Sequence, residues 1–105
     1  MAATASRAVY TSGQGGPAIV TRMDLSVLVS GQLETLSHLG PSGQAPDEIY
    51  FHVTTRPNAG SGVCMSYEGA NTTNNTADVR FTASDQLGSL TGAVIRVFFK
   101  FYNAA

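Results

Sequence analysis

His38, His52, Cys64 and seven carboxylates are the groups in this 105-residue chain best equipped for catalysis or metal ligation. A reactive site needs such groups to converge with tuned pKa values. His38 or His52 with Asp47 or Glu48 has the donor types for a metal. No two of them stand at a ligand spacing such as two histidines one helical turn apart. Surface or capping roles are therefore expected for both histidines. Cys64 has the nucleophile chemistry for a site shared with a distant histidine, but no helix start or lysine near it in sequence would lower its pKa. A buried small residue is the expectation there. Asp47 and Glu48 are adjacent, so on a strand they point to opposite faces and make no carboxylate pair. Asp78 and Asp85 are each isolated from other acids. No reaction is assigned: the chain is read as a non-enzyme with no catalytic residue, cofactor or metal.

Binding motifs are equally sparse. SGQGGP at 12–17 has closely spaced glycines but lacks the GK[ST] ending of a phosphate loop, and no helical pattern follows it. It is expected to be a corner before a strand. Tyr50, Phe51 and His52 hint at a base-stacking platform, but five arginines and one lysine are scattered along the chain and seven acids outnumber them. No nucleic-acid partner is expected. The sequons at Asn71 and Asn74 are read as loop composition.

The elements that would position these residues are mostly strands. Ile19, Thr21, Met23, Leu25, Val27 and Val29 alternate with Val20, Arg22, Asp24, Ser26 and Leu28, the clearest period-2 run in the chain. Arg22 and Asp24 share its polar face. Ile49, Phe51 and Val53 alternate with Tyr50, His52 and Thr54, and Val63, Met65 and Tyr67 with Cys64, Ser66 and Glu68. Val79 and Phe81 mark a further strand, and 92–102 the last. EGANTTNNTA at 68–77 reads as a hairpin loop in which Asn tolerates left-handed backbone. Between 30 and 40, Leu33, Leu36 and Leu39 recur every three residues, which predicts a short helical turn near 35–39 capped by Thr35. Ala2–Ser6 is small and polar, and a flexible arm over about 1–8 is expected, with a short strand from Arg7. Six to seven strands with turn signals every 8–12 residues predict an all-β domain, a single antiparallel β-sandwich or small jelly-roll-like barrel. Residues 1–105 read as one domain.

Composition narrows the role. Charged residues are only 12% of the chain, the net charge is −1 and there is no tryptophan. An average soluble domain carries about 25% charge. A surface of Ser, Thr, Asn, Gln and Gly is a weak barrier to association. One cysteine implies no internal disulfide, and no run approaches a membrane span or a signal-peptide core, so a protein made in a cytoplasm and not bound to a membrane is expected. The last strand, GAVIRVFFKFYNAA at 92–105, is apolar on both faces. Ile95, Val97, Phe99 and Phe101 suit a core. Val94, Phe98 and Tyr102 on the other face need a second cover, either a lid made by the chain's own N-terminal arm or a partner. Val94, Phe98 and Tyr102, with Arg7 and Tyr10 on the arm, are the candidate partner-binding residues.

In order and texture the chain resembles the small head-decoration, or cement, proteins of tailed bacteriophages over nearly its whole length. The arm MAATASRAVYTS is followed by a Gly-rich corner and strand, GQGGPAIVTRMDL. The turn ETLSHLG leads into the strand EIYFHVTT. A Tyr-bearing strand and Asn/Thr loop, GVCMSYEGANTTNNT, precede VRFTASDQLGSLTGAVIRVFFKF. The resemblance implies a β-sandwich or small barrel that assembles as a homotrimer or homodimer. It implies a place on the outer surface of a virion, clamping neighbouring major capsid subunits without catalysis. No individual contact residue is carried over from it. The alternatives are another small virion part, in a tail or head-fibre base, and a carbohydrate- or ligand-binding sandwich.

Overall fold

The computed structural model describes residues 2–10, 18–38, 41–85 and 88–102, with backbone alone for 2–10 and 18. The described residues form β1 (Ala2–Tyr10), β2 (Ala18–Ser26), β3 (Leu33–Ser37), β4 (Glu48–Thr55), β5 (Val63–Asn71), β6 (Thr76–Ala83) and β7 (Val94–Tyr102). Every pairing is antiparallel. One sheet has the order β1-β2-β7-β4 and the other β3-β6-β5. The fold is an all-β sandwich. β2 pairs with β7, and β3 with β6 inside them, so the chain is a long hairpin folded over on itself in the manner of a jelly roll.

Alternation decides what is buried. Ile19, Met23 and Leu25 from β2, Leu36 from β3, Val79 and Phe81 from β6, and Ile95, Val97, Phe99 and Phe101 from β7 fill the space between the sheets. All four inner residues of β7 are sealed from solvent, as their period-2 spacing predicts. Burying a side chain of this size stabilises by roughly 1.5–3 kcal/mol. Ile49, Phe51, Val63 and Met65 on the edge strands β4 and β5 pack against this core while staying partly exposed.

Three expectations are corrected. The helical turn expected near 35–39 is not formed, because the described residues there continue strand β3 as far as Ser37. The every-third-residue leucines are misleading. The residues of β3 and its exit that turn inward are Glu34, Leu36 and His38 at period 2, while Leu33 is 40% exposed. Two ionisable residues at inward positions hide the strand pattern. Thr35 caps nothing; its Oγ1 donates to Asp78 Oδ1 at 2.7 Å, across the β3–β6 ladder. Leu39 lies outside the described residues.

The second correction concerns the run from Ile19. Its alternation holds to Leu25, then changes phase. Val27 and Val29 are 71% and 57% exposed, and Leu28 is buried instead. Val27 adopts φ +56°, a conformation costly for a β-branched residue, and this ends β2 and turns Leu28 inward. The turn is held by Ala83 N donating to Ser30 Oγ (3.0 Å), Gly31 N to the Phe81 carbonyl (2.9 Å) and Arg80 Nη1 to the Gly31 carbonyl (2.9 Å). Thirdly, in place of a loose arm over about 1–8, Ala2–Tyr10 pairs in unbroken register with β2. The backbone lies beside the sheet and forms no lid over it. The corner at 12–17 lies outside the described residues.

The hairpin loop expected over 68–77 is shorter in the structure, a turn at 72–75, because β5 runs to Asn71 and β6 starts at Thr76. Asn71 Oδ1 accepts from Thr73 N and Asn74 N at 3.0 and 3.1 Å, and Asn75 takes φ +56°.

Candidate docking face

The outer face of the four-stranded sheet is built by β7 with its neighbours β2 and β4. Residues directly opposite one another in antiparallel strands share a face. On β7 the outer row is Val94, Arg96, Phe98, Lys100 and Tyr102, each half-buried. Register places Asp24 and His52 on either side of Arg96, Arg22 and Tyr50 on either side of Phe98, and Val20 and Glu48 on either side of Lys100. The structure thus brings Val94, Phe98 and Tyr102 together on one strand in the middle of the sheet.

Side chains of the same sheet contact one another across this face. The Tyr50 ring lies 5.8 Å from that of Phe98, tilted by 36°. The Lys100 ammonium stands 4.7 Å from the centre of the Tyr102 ring. Arg96 Nε donates to Asp24 Oδ1 at 3.0 Å, and Arg22 Nη2 to Asp24 Oδ2 at 3.3 Å. The hydrogen bond from Arg96 holds the Asp24 carboxyl below its ordinary range, against the opposing effect of burial, with the charge of Arg22 adding to the lowering. A hydrogen bond to Tyr102 is the main reason the Lys100 ammonium is held above its ordinary pKa. Asp47 Oδ2 accepts from Tyr102 N at 2.7 Å and ties down the end of the strand. The result is a flat face of aromatic rings whose charges are largely paired. Such a face suits adhesion to another protein surface more than attraction of a charged ligand.

Tyr10 and Arg7 fare differently. Tyr10 is the register partner of Ala18, which also pairs with Tyr102, so the three positions form one row across the sheet. Arg7 pairs with Thr21, a residue of the buried row, and its position is out of step with the outer face. The side chains of both lie outside the description.

The groups considered for chemistry are distributed over three surfaces. His52 is exposed on the outer face, opposite Arg96. His38 is buried between the sheets with its ring 4.8 Å from that of Phe101, and desolvation lowers its pKa while a backbone hydrogen bond at Gln44 opposes the shift. Cys64 is exposed on β5 in the other sheet, which corrects the expectation of a buried thiol. It stands on the outward row of an edge strand, between the half-buried Val63 and Met65. Among the described residues no three His, Cys, Asp or Glu side chains are grouped to hold a metal ion.

Sequence reasoning placed Val94, Phe98 and Tyr102 on one face, with Arg96 and Lys100 between them, but missed Tyr50 as part of the same surface. The signal for Arg22 and Asp24 was local, two residues apart on one strand. The signal for Tyr50, and for the ion pair of Arg96 with Asp24, is the pairing of β7 with β4 and β2, which no short window contains. No family model matches the chain, and comparison with curated proteins and with solved structures likewise yields no match.

Proposed function

We propose that the chain is a capsid decoration protein: it binds the outside of a tailed-phage head and stabilises the shell by bridging major capsid subunits through the outer face of the four-stranded sheet. The observation that carries this reading is the half-exposed aromatic centre of that face, Phe98 with Tyr50 and Tyr102, in a chain of only 12% charged residues. The sequence resemblance to cement proteins supports the same role. Binding confined to the assembled shell adds its free energy to shell stability by mass action, and repetition over a symmetric particle adds avidity. The test is quantitative mass spectrometry of purified virus particles from the source. A copy number equal to that of the major capsid protein, or a simple fraction of it, is expected. A few copies per particle would make the chain a tail or vertex part, and absence from particles would overturn a virion role. A second reading, carbohydrate binding, draws on Tyr50, 44% exposed beside Phe98. A glycan array separates it.

A further inference from the structure

Among the described residues the two sheets leave four edges: β1 and β4 in one, β3 and β5 in the other. An edge strand presents a row of unpaired N–H and C=O groups, and folded proteins interrupt such rows with bulges, charges, prolines or short strands. Three of the four are interrupted here. β3 is five residues long and turns the carboxylate of Glu34 inward, with its Oε1 buried and without a hydrogen-bond partner. β4 shifts register between Val53 and Thr55 and carries Glu48. β5 shifts register between Tyr67 and Gly69, with Glu68 at the irregularity. β1 has the least of these devices, a single charge at Arg7. Its nine residues, AATASRAVY, run in unbroken register with β2 and contain no proline, lysine or acid.

We infer that the free edge of β1 pairs with the same edge of a second copy of this chain. The two strands run antiparallel about a two-fold axis at Ser6 and join two four-stranded sheets into one. Self-pairing fits this strand in particular. Full overlap sets Ala2 opposite Tyr10, Ala3 opposite Val9, Thr4 opposite Ala8, Ala5 opposite Arg7, and Ser6 opposite itself. The one charged residue of β1 then faces an alanine, and no like charges meet. Even-numbered positions meet even-numbered ones, so the residues that point to one face of the sheet stay on that face across the junction. Whichever phase of β1 faces outward, the overlap closes roughly eight to ten main-chain hydrogen bonds. The net charge of −1 sets little repulsion between copies. The pairing is isologous and closes at two copies. It stands independently of the capsid reading, though it would put two copies of the aromatic face on the same side of one sheet.

Sedimentation of the full chain over a range of concentrations tests the pairing together with cysteine cross-linking in a Cys64→Ser background. Opposed residues in antiparallel strands have Cα atoms about 4.5–5.5 Å apart, within disulfide reach. Mild oxidation of Ser6→Cys is expected to give covalent dimer at least about tenfold more efficiently than Thr4→Cys, whose position is opposed to Ala8. Ser6→Glu has Arg22 as register partner within its own chain but sets two carboxylates against each other at the axis. Its circular dichroism should match wild type while the dimer dissociates. If Ser6→Glu fails to fold, the cross-linking comparison decides. A wild-type monomer at the highest concentrations, a trimer, or equal cross-linking at positions 4 and 6 would overturn the inference. A monomer that nevertheless decorates particles would overturn it and leave the capsid reading intact.

Discussion

On the inner face of β7, Ile95, Val97, Phe99 and Phe101 are fully buried against the opposite sheet. On its outer face, Val94, Phe98 and Tyr102 are only half-buried, with the Tyr50 ring against Phe98 and the Lys100 ammonium over Tyr102. Both faces are apolar in sequence. The inner face contributes to folding through close packing. The outer face stays partly open to solvent, and the proposed function assigns that open area to a partner. Apolar residues at two faces of one strand are therefore buried to different degrees, and the difference lies in what the topology places above each.

The sharpest way to break this comparison is to truncate a ring on each face. Phe99→Ala is expected to cost about 3–5 kcal/mol in urea unfolding, from lost transfer energy and the cavity left behind. Phe98→Ala should cost about 1 kcal/mol, because part of its ring is already in water. Equal losses would show that the outer face is packed as tightly as the core.

A smaller effect is expected where the alternation of β2 ends. Val27→Gly relieves a φ of +56° at an exposed residue, and a net stabilisation of about 0.5–1 kcal/mol is expected from thermal unfolding. A loss of stability would mean that the valine side chain is needed to hold the turn.

His38 sharpens the comparison through pH. Burial holds its pKa below the ordinary 6.5, so the unfolded chain takes up the proton at a higher pH than the folded one. Its contribution to stability is complete above that value and falls as the pH drops through it toward the folded pKa. The slope between pH 7.5 and 5.5 should flatten in His38→Gln. On the outer face the sign is the same but the window lower: Asp24 is held below 3.8, so its stabilisation is present above that pH and lost on further acidification. Its ion pairs are more than a third exposed, and Asp24→Asn is expected to cost less than about 1 kcal/mol at pH 7.

Much of the sandwich is legible in the sequence, because β4, β6 and β7 alternate cleanly and their turns carry Asn and Gly in fitting places. β3 is not, since Glu34 and His38 occupy inward positions that a hydrophobic pattern leaves to apolar residues. The phase change at Val27 is invisible for another reason: a strained valine looks in sequence like an ordinary strand residue. Of the docking face, the β7 residues could be read from one strand. Tyr50 and Asp24 join it only through pairings across 48 and 72 positions of chain, Tyr50 with Phe98 and Asp24 with Arg96. Such long-range pairings are set by the whole fold.

The most direct test of the proposed function is binding of the purified chain to expanded, undecorated heads of a phage from the chain's own source, followed by co-sedimentation. Wild type is compared with the Phe98→Asp, Tyr102→Asp double variant, whose fold is checked by circular dichroism. The account predicts saturable binding of wild type and loss of at least about tenfold in affinity for the folded variant, a difference of about 1.4 kcal/mol or more. A folded variant that binds as tightly as wild type would contradict the assignment of docking to the outer face of β7.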